Sequence, residues 1–220
     1  MAQARVKKAD PTAEKRRMAE VLRVLKREYP EAKCSLDFET PFQLLVATIL
    51  SAQCTDDRVN LVTPELFRKY PGPREMAAAP VAELEKLVQT TGFFRNKAMS
   101  ISESAKAIVE QHGGKVPGDL EKLVALRGVG RKTANVVLGN VFDVPGLVVD
   151  THVGRLSRRL GFTRQNDPVK VEHEMMELVL REDWTIYSHL LIYHGRAVCT
   201  ARRAMCEDCS LARLCPKVGV

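Results

Sequence analysis

Two residues near the middle of the chain have side chains that could take part in covalent chemistry. Lys132 is a primary amine two positions after Gly130, and Asp150 is a carboxylate further along the chain. A neutral amine can act as a nucleophile, and a carboxylate can stabilise a developing positive charge or handle a proton. Considered one at a time, Lys132 is more simply a phosphate contact and Asp150 a helix N-cap. Both interpretations stay open at this point.

The sequence around Lys132 predicts two helices separated by a tight turn. A short amphipathic helix follows Asp119, and a second helix begins at about Arg131. Two glycines flanking one apolar residue allow positive φ angles and leave backbone N–H groups exposed. These donors lie at the positive end of a helix dipole, where a phosphate is the natural ligand. We therefore expect the turn to bind a nucleic-acid backbone without reading its sequence, through Gly128, Val129, Gly130 and Arg131.

Four of the six cysteines are grouped near the C-terminus with the spacing C-x6-C-x2-C-x5-C: Cys199, Cys206, Cys209 and Cys215. Four thiolates can hold either a tetrahedral zinc ion or an iron–sulfur cubane. Structural zinc commonly uses two short cysteine pairs, whereas this stretch has one short pair and wider loops, which suit the larger perimeter of a cluster. Zinc remains the alternative. The grouping favours a metal site in a reducing compartment over disulfides.

The composition narrows the class of protein. At 220 residues, of which 45% are hydrophobic, the chain can form one or two globular domains. A net charge of +7 favours a polyanionic partner, most simply nucleic acid, although ordinary basic proteins reach the same charge. No apolar run reaches membrane-spanning length, and the N-terminus lacks the apolar segment of a secretion signal. We expect no membrane partner and a cytoplasmic location, nucleoid-associated if the source is prokaryotic.

The apolar periodicity predicts helices along the whole chain, and no stretch alternates as a strand of useful length. Helices are expected from Thr12 to the Tyr29-Pro30 break, over Pro41–Ser51, near residues 80–90 and 95–111, from about Arg131, after Asp150, and over Pro168–Leu180 and Trp184–His194. Pro41–Ser51 is apolar all round and too short to cross a bilayer, which predicts a buried central helix. Residues 1–11 are polar and basic and predict a disordered extension. The expected fold class is all-α.

Several motifs together resemble the endonuclease III family of DNA glycosylases. They are L-R-G-V-G-R-K-T-A-N-V-V around the turn, V-D-T-H-V-G-R-L around Asp150, S-A-Q-C-T-D at Ser51–Asp56, and the four-cysteine cluster. The resemblance implies a two-domain helix-hairpin-helix glycosylase fold with a C-terminal [4Fe-4S] cluster loop. A six-helix domain would span about residues 34–144. A discontinuous cluster domain would combine residues 12–33 with residues 145–220.

The resemblance also implies a function. The chain would be a monomeric, bifunctional DNA glycosylase and AP lyase of base excision repair, acting on double-stranded DNA with oxidised pyrimidines or abasic sites. Lys132 would attack the sugar to form a Schiff base that undergoes β-elimination. Asp150 would stabilise the cationic sugar. A positive helix end, basic neighbours and partial desolvation would raise the neutral fraction of the Lys132 amine. His152 would either orient Asp150 or pack.

Further DNA contacts follow from the same resemblance. Gln53 matches a glutamine that fills the gap left by an extruded base, although a helix-end amide is its commoner role. Phe93 lies in a loop that resembles a wedge into the opposite strand, where the familiar pattern has leucine, and such an aromatic residue is as often in the core. The cluster would hold Arg202 and Arg203 towards phosphates.

Two alternative functions remain at this stage. One is a monofunctional mismatch glycosylase of the same fold, but relatives of that kind carry other residues at the position of Lys132. The other is a non-catalytic iron–sulfur protein that only binds DNA.

Overall fold

The computed structural model describes residues 11–220, which form helices joined by short loops. Within this range the α-helices are α1 (Pro11–Glu28), α2 (Pro41–Leu50), α3 (Asp56–Lys69), α4 (Pro73–Ala78), α5 (Val81–Val88), α6 (Phe94–His112), α7 (Leu120–Val124), α8 (Arg131–Val141), α9 (Thr151–Arg159), α10 (Pro168–Leu178) and α11 (Trp184–Ala197). Two short 3-10 helices cover Gln89–Thr91 and Arg181–Asp183. The strand pairing among the described residues is one isolated bridge between Cys199 and Ala204, which confirms the all-α class.

The chain divides into two compact units. One, the split unit, combines the described residues up to Lys33 with Leu147–Val220, and the other, the central unit, is Cys34–Gly146. Each unit has its own hydrophobic core. The predicted extension at residues 1–11 lies outside the described residues except for Pro11, with which α1 begins. No helix within residues 11–220 is long and apolar enough to cross a membrane.

The central unit is built around α2. Thr40 accepts the N–H of Gln43 and caps the helix, while Pro41 occupies its first turn, where a proline has no N–H to lose. Every residue from Phe42 to Leu50 is buried, and α2 packs against α3, α6 and α8. The predicted buried central helix is thus confirmed.

The central unit contains seven α-helices, α2 to α8, whereas the family resemblance implies six. The unit contains α3, which the sequence analysis did not identify, and the short α4. Pro64 lies inside α3 and suggests a break to sequence reasoning, because an interior proline removes a helical hydrogen bond. The helix continues because Thr55 caps its start and its Val59 and Leu66 side chains are fully buried.

The split unit packs α1 against α10 and α11, and α9 against α10 and α11. The predicted apolar face of α1 is buried, namely Met18, Val21, Leu22 and Leu25. α10 ends at Leu178, two residues before the predicted end, and α11 continues to Ala197. This packing fixes the start of α9, where Asp150 lies, and the C-terminal cysteine segment.

Candidate active site and DNA-binding loops

The turn between α7 and α8 packs against α6. Leu126 and Val129 are buried, and the N–H of Val129 donates to the carbonyl of Leu126 at 3.2 Å. Gly128 has φ +75°, and a Cβ added there would lie 2.7 Å from both Cβ and Oγ of Ser100. This position therefore requires glycine for two reasons, the backbone conformation and the close packing of α6.

The second glycine of the turn has a different environment. Gly130 is the N-cap of α8, with an extended backbone at φ −88° and ψ 173°, and no side chain caps the helix there. A Cβ at Gly130 would meet no atom within 4 Å. The fold itself does not need glycine here. The missing side chain leaves the first turn of α8 open to a ligand such as a phosphate.

Lys132 lies in that first turn and is exposed to solvent. Ala134, Val137 and Leu138 bury the opposite face of α8 and fix the helix in the central unit. The partial desolvation expected from the sequence is therefore absent from the protein without DNA. A DNA backbone lying over the helix N-terminus would have to supply it.

Asp150 caps α9. Its Oδ1 accepts the N–H of Val153 at 2.8 Å, and its backbone is extended, as in an N-cap residue. The carboxylate is half-buried, and its Oδ2 takes no part in this hydrogen bond. The cap interpretation of the sequence is thus an observed contact, and it leaves one carboxylate oxygen for chemistry.

His152 packs between α9 and α11. Its Nδ1 lies 3.2 Å from Nη2 of Arg155, and a Cβ added at Gly195 would be 2.8 Å from the same nitrogen. Burial lowers the pKa of His152 below its ordinary value of 6.5, and the Asp150 carboxylate acts in the opposite direction. These contacts support the packing interpretation of His152, and its lowered pKa favours the neutral imidazole near neutral pH.

The two residues predicted to enter the DNA share an uncommon backbone conformation. Gln53 has φ +52° and Phe93 has φ +45°. Both lie in the left-handed region of backbone conformation, which residues other than glycine rarely adopt. Gln53 is exposed, and Phe93 is 66% exposed, so Phe93 is not a core residue. Strain of this kind persists where the surrounding structure enforces it and is concentrated at functional sites.

The four cysteines of the predicted cluster line one pocket of the split unit, together with Arg159, His194, Lys217 and apolar residues. Three of the sulfurs have a nitrogen neighbour: Arg159 Nη1 donates to Cys199 at 3.2 Å, the N–H of Lys217 donates to Cys215 at 3.3 Å, and His194 Nε2 lies 3.3 Å from Cys209. Nitrogen donors to sulfur are the surroundings that stabilise metal-bound thiolates.

Burial raises the pKa of Cys209 and of Cys215, and the neighbouring Cys199 sulfur raises both further. Four thiolates in this pocket would repel one another, and bound iron would offset that repulsion, so the donor set fits an iron–sulfur cluster. Within residues 11–220, no group of three or more His, Cys, Asp or Glu side chains is arranged to hold a single metal ion.

The loop after Cys199 is held by two arginines of α9. Arg155 Nη2 donates to the carbonyl of Cys199 at 2.9 Å, and Arg159 Nη1 donates to the carbonyl of Thr200 at 2.7 Å. Arg202 and Arg203 are exposed on this loop. The sequence analysis assigned no role to these two arginines of α9. Their partners are carbonyls some 40 residues away, for which the sequence has no local signal.

The fold and this arrangement of residues define a class. Residues 46–181, which include the hairpin and Asp150, match the family described as HhH-GPD superfamily base excision DNA repair protein. A thermostable thymine-DNA glycosylase, at 24% identity and a TM-score of 0.82, shares the fold.

Closer relatives narrow the class. The chain is 54% identical to endonuclease III of Synechocystis over 93% of this chain and 94% of the relative. It is 48% identical to endonuclease III of Bacillus subtilis over 85% of this chain and 86% of the relative. Two solved structures are each 43% identical to this chain, with TM-scores of 0.87 over 92% of it. One is a non-covalent endonuclease III–DNA complex, of which the match covers 95%. The other is a trapped covalent endonuclease III–DNA intermediate, of which the match covers 96%. The chain therefore belongs to the endonuclease III family of base excision repair enzymes, as the sequence resemblance predicted.

Proposed function

We propose that this chain is a bifunctional DNA glycosylase and AP lyase that removes oxidised pyrimidines from duplex DNA and then cleaves the strand through a lysine Schiff base. The observation that carries the proposal is the exposed Lys132 in the first turn of α8, two residues after a glycine N-cap with open space around it. This arrangement brings a nucleophile to a backbone-binding helix end.

Binding begins with the phosphate backbone. The N-terminus of α8 with Gly128, Val129, Gly130 and Arg131, and the exposed Arg202 and Arg203 on the other unit, would contact phosphates without reading bases. The damaged base must leave the stack, because its glycosidic bond is unreachable inside a duplex. Gln53 and Phe93 would fill the space it leaves. Oxidised pyrimidines have lost aromatic stacking and leave the duplex more readily than intact bases.

The chemistry uses one amine and one carboxylate. The neutral Nζ of Lys132 attacks the sugar C1′, the bond from C1′ to the base breaks, and the base leaves with its electron pair and gains a proton. Asp150 stabilises the positive charge that develops on the sugar and accepts a proton from the lysine nitrogen. The C1′–O4′ bond then breaks, O4′ takes up a proton, and the nitrogen of Lys132 forms an imine with C1′. This imine makes the C2′ proton acidic. Its loss expels the 3′ phosphate by β-elimination and cleaves the strand.

The four cysteines, Cys199, Cys206, Cys209 and Cys215, would hold a [4Fe-4S] cluster. The fit rests on their shared pocket and on the nitrogen donors that surround the sulfurs. The cluster would act structurally, since it would fix the loop that carries Arg202 and Arg203. Purified protein is expected to be yellow-brown, with iron and acid-labile sulfide in about a four-to-four ratio per chain. A colourless, folded protein with one zinc ion would contradict this assignment.

The nucleophile can be tested by borohydride trapping on a duplex that contains thymine glycol. Wild-type protein is expected to form a covalent complex, because borohydride reduces the imine to a stable amine. Lys132→Ala should lose trapping and most excision. Lys122→Ala, which removes an exposed lysine from α7, is the matched control and should trap normally.

The same assay separates the alternatives. If the wild-type protein releases the base but forms no trapped complex and leaves the strand intact, it is a monofunctional glycosylase. If it binds damaged duplex and neither excises the base nor cleaves an abasic site, it is a DNA-binding protein without catalysis.

A further inference from the structure

The ammonium group of Lys97 occupies an unusual position in the central unit. Lys97 lies in the first turn of α6 and is only 5% exposed, although lysine is rarely buried without a carboxylate partner. Its Nζ donates to the carbonyl of Leu50 at 2.8 Å and to the carbonyl of Thr91 at 2.7 Å. Burial lowers the pKa of the Lys97 ammonium group, and the Cys54 thiol acts in the opposite direction.

Both carbonyls belong to helix C-termini. Leu50 is the last residue of α2, and Thr91 is the last residue of the short 3-10 helix before Gly92. The final carbonyls of a helix have no partner within it and form the negative end of the helix dipole. The buried ammonium group therefore donates hydrogen bonds to the carbonyls at two helix C-termini at once. At each of these carbonyls the chain leaves its helix and enters a loop.

These two segments carry the strained residues described above. Gln53 comes three residues after Leu50, and Phe93 comes two residues after Thr91. The backbone of Lys97 is also attached to the second segment, because its N–H donates to the carbonyl of Phe93 at 3.1 Å. Lys97 thus contacts the chain on both sides of Gly92 and, through Leu50, the start of the segment that contains Gln53.

We infer that Lys97 is a positioning residue that joins the two DNA-inserting segments, Ser51–Cys54 and Gly92–Phe93, so that Gln53 and Phe93 enter the duplex as one unit. The inference rests on the proposed function, because it concerns how that enzyme stabilises the extruded base. Lys97 need not touch DNA in this role. It holds the ends of two helices at a fixed separation, and each end directs one exposed side chain.

Joint insertion has a measurable consequence. If the two side chains act together, removing either one releases the extruded base, and removing the second then changes little. Residues coupled through a shared contact show interaction energies that separated residues do not. The measured quantity is the rate of single-turnover excision of thymine glycol. If the two substitutions acted independently, the double variant Gln53→Ala with Phe93→Ala would be slowed by the product of the two single-variant factors. With joint insertion, the double variant should be faster than that product implies by about fivefold or more.

The coupling should depend on the ammonium group. In a Lys97→Met background, which keeps the length of the side chain but removes its donors, the two losses should multiply. Lys97→Arg keeps the charge and the donors and should restore coupling. Lys106→Met is the matched control, because it removes an exposed lysine from the same helix and should leave the coupling unchanged. Thermal unfolding of each variant separates coupling from a simple loss of stability.

Lys97→Met leaves two buried carbonyls without a donor and can fail to fold. Lys97→Gln is the second variant, because its shorter amide can satisfy one carbonyl but not both. Multiplicative losses in the wild-type background, or undiminished coupling in Lys97→Met or Lys97→Gln, would overturn the inference. Neither result affects the proposed function, whose failure would be seen as a wild-type protein that neither excises thymine glycol nor is trapped by borohydride.

Discussion

Asp150 has an observed role as the cap of α9 and a proposed role in catalysis, and substitutions can separate the two. Its Oδ1 caps α9 through the N–H of Val153 at 2.8 Å. Asparagine caps helices about as well as aspartate, whereas replacing either by alanine costs about 1 kcal/mol of stability. Asp150→Asn should therefore keep the fold within a few tenths of a kcal/mol and lose only the negative charge, while Asp150→Ala should lose both.

The loss of the charge should affect base excision most. A carboxylate that stabilises a developing cation is expected to accelerate excision by on the order of 10²–10³-fold. At a preformed abasic site the glycosidic bond is already broken, and the Lys132 amine needs only the open-chain aldehyde. Asp150→Asn should therefore slow excision of thymine glycol by that factor and slow nicking of an abasic site much less. Single-turnover gel assays on both substrates make the comparison.

Asp167 provides the matched control in the same unit. Its Oδ1 caps α10 through the N–H of Lys170 at 2.9 Å, so it too bonds the third residue of its helix. Asp167→Ala should lower the free energy of unfolding as much as Asp150→Ala does, with excision unchanged. The reasoning is refuted if Asp150→Asn, folded and binding DNA, loses both activities equally. Asp150 would then be needed for the lyase step as well.

Three further outcomes can be measured. Gly128→Ala should destabilise the fold by about 1–3 kcal/mol, because φ at Gly128 is positive and α6 is in contact with it. Gly130→Ala should cost less than about 1 kcal/mol of stability but weaken duplex binding on the order of tenfold. Equal losses of stability in the two variants, measured by denaturation, would contradict this. Replacing Arg202 and Arg203 by alanine should reduce the slope of log affinity against log salt by about one per phosphate contact, and an unchanged slope would show that their loop does not touch DNA. Burial lowers the pKa of His189 below 6.5, so the unfolded chain binds a proton that the folded chain does not, and the free energy of unfolding should fall as pH falls below 6.5. His189→Gln should flatten that dependence in denaturation at pH 7.5, 6.5 and 5.5, and an identical pH dependence in both proteins would refute it.

The sequence determines the features of this protein that depend on near neighbours in the chain. The buried α2, the hairpin with its two glycines, the cap at Asp150 and the cysteine grouping all follow from spacing within a few residues. Helix periodicity, capping and metal-ligand spacing are local effects, so a single sequence contains them. The same local rules missed α3, because Pro64 suggests a break and only burial of Val59 and Leu66 shows that the helix continues.

Only the tertiary structure determines which atoms surround each of these residues, and therefore whether the residue is buried, exposed or in contact with a distant helix. Gly128 and Gly130 are the same residue type two positions apart, yet α6 excludes a side chain at the first, and nothing fills the space at the second. Lys132 is exposed where sequence reasoning expected partial desolvation. Lys97 has the clearest dependence on the fold, because its partner Leu50 lies 47 residues away in the chain. A contact over that separation exists only once α2 and α6 have packed together, and no pattern of neighbouring residues contains it.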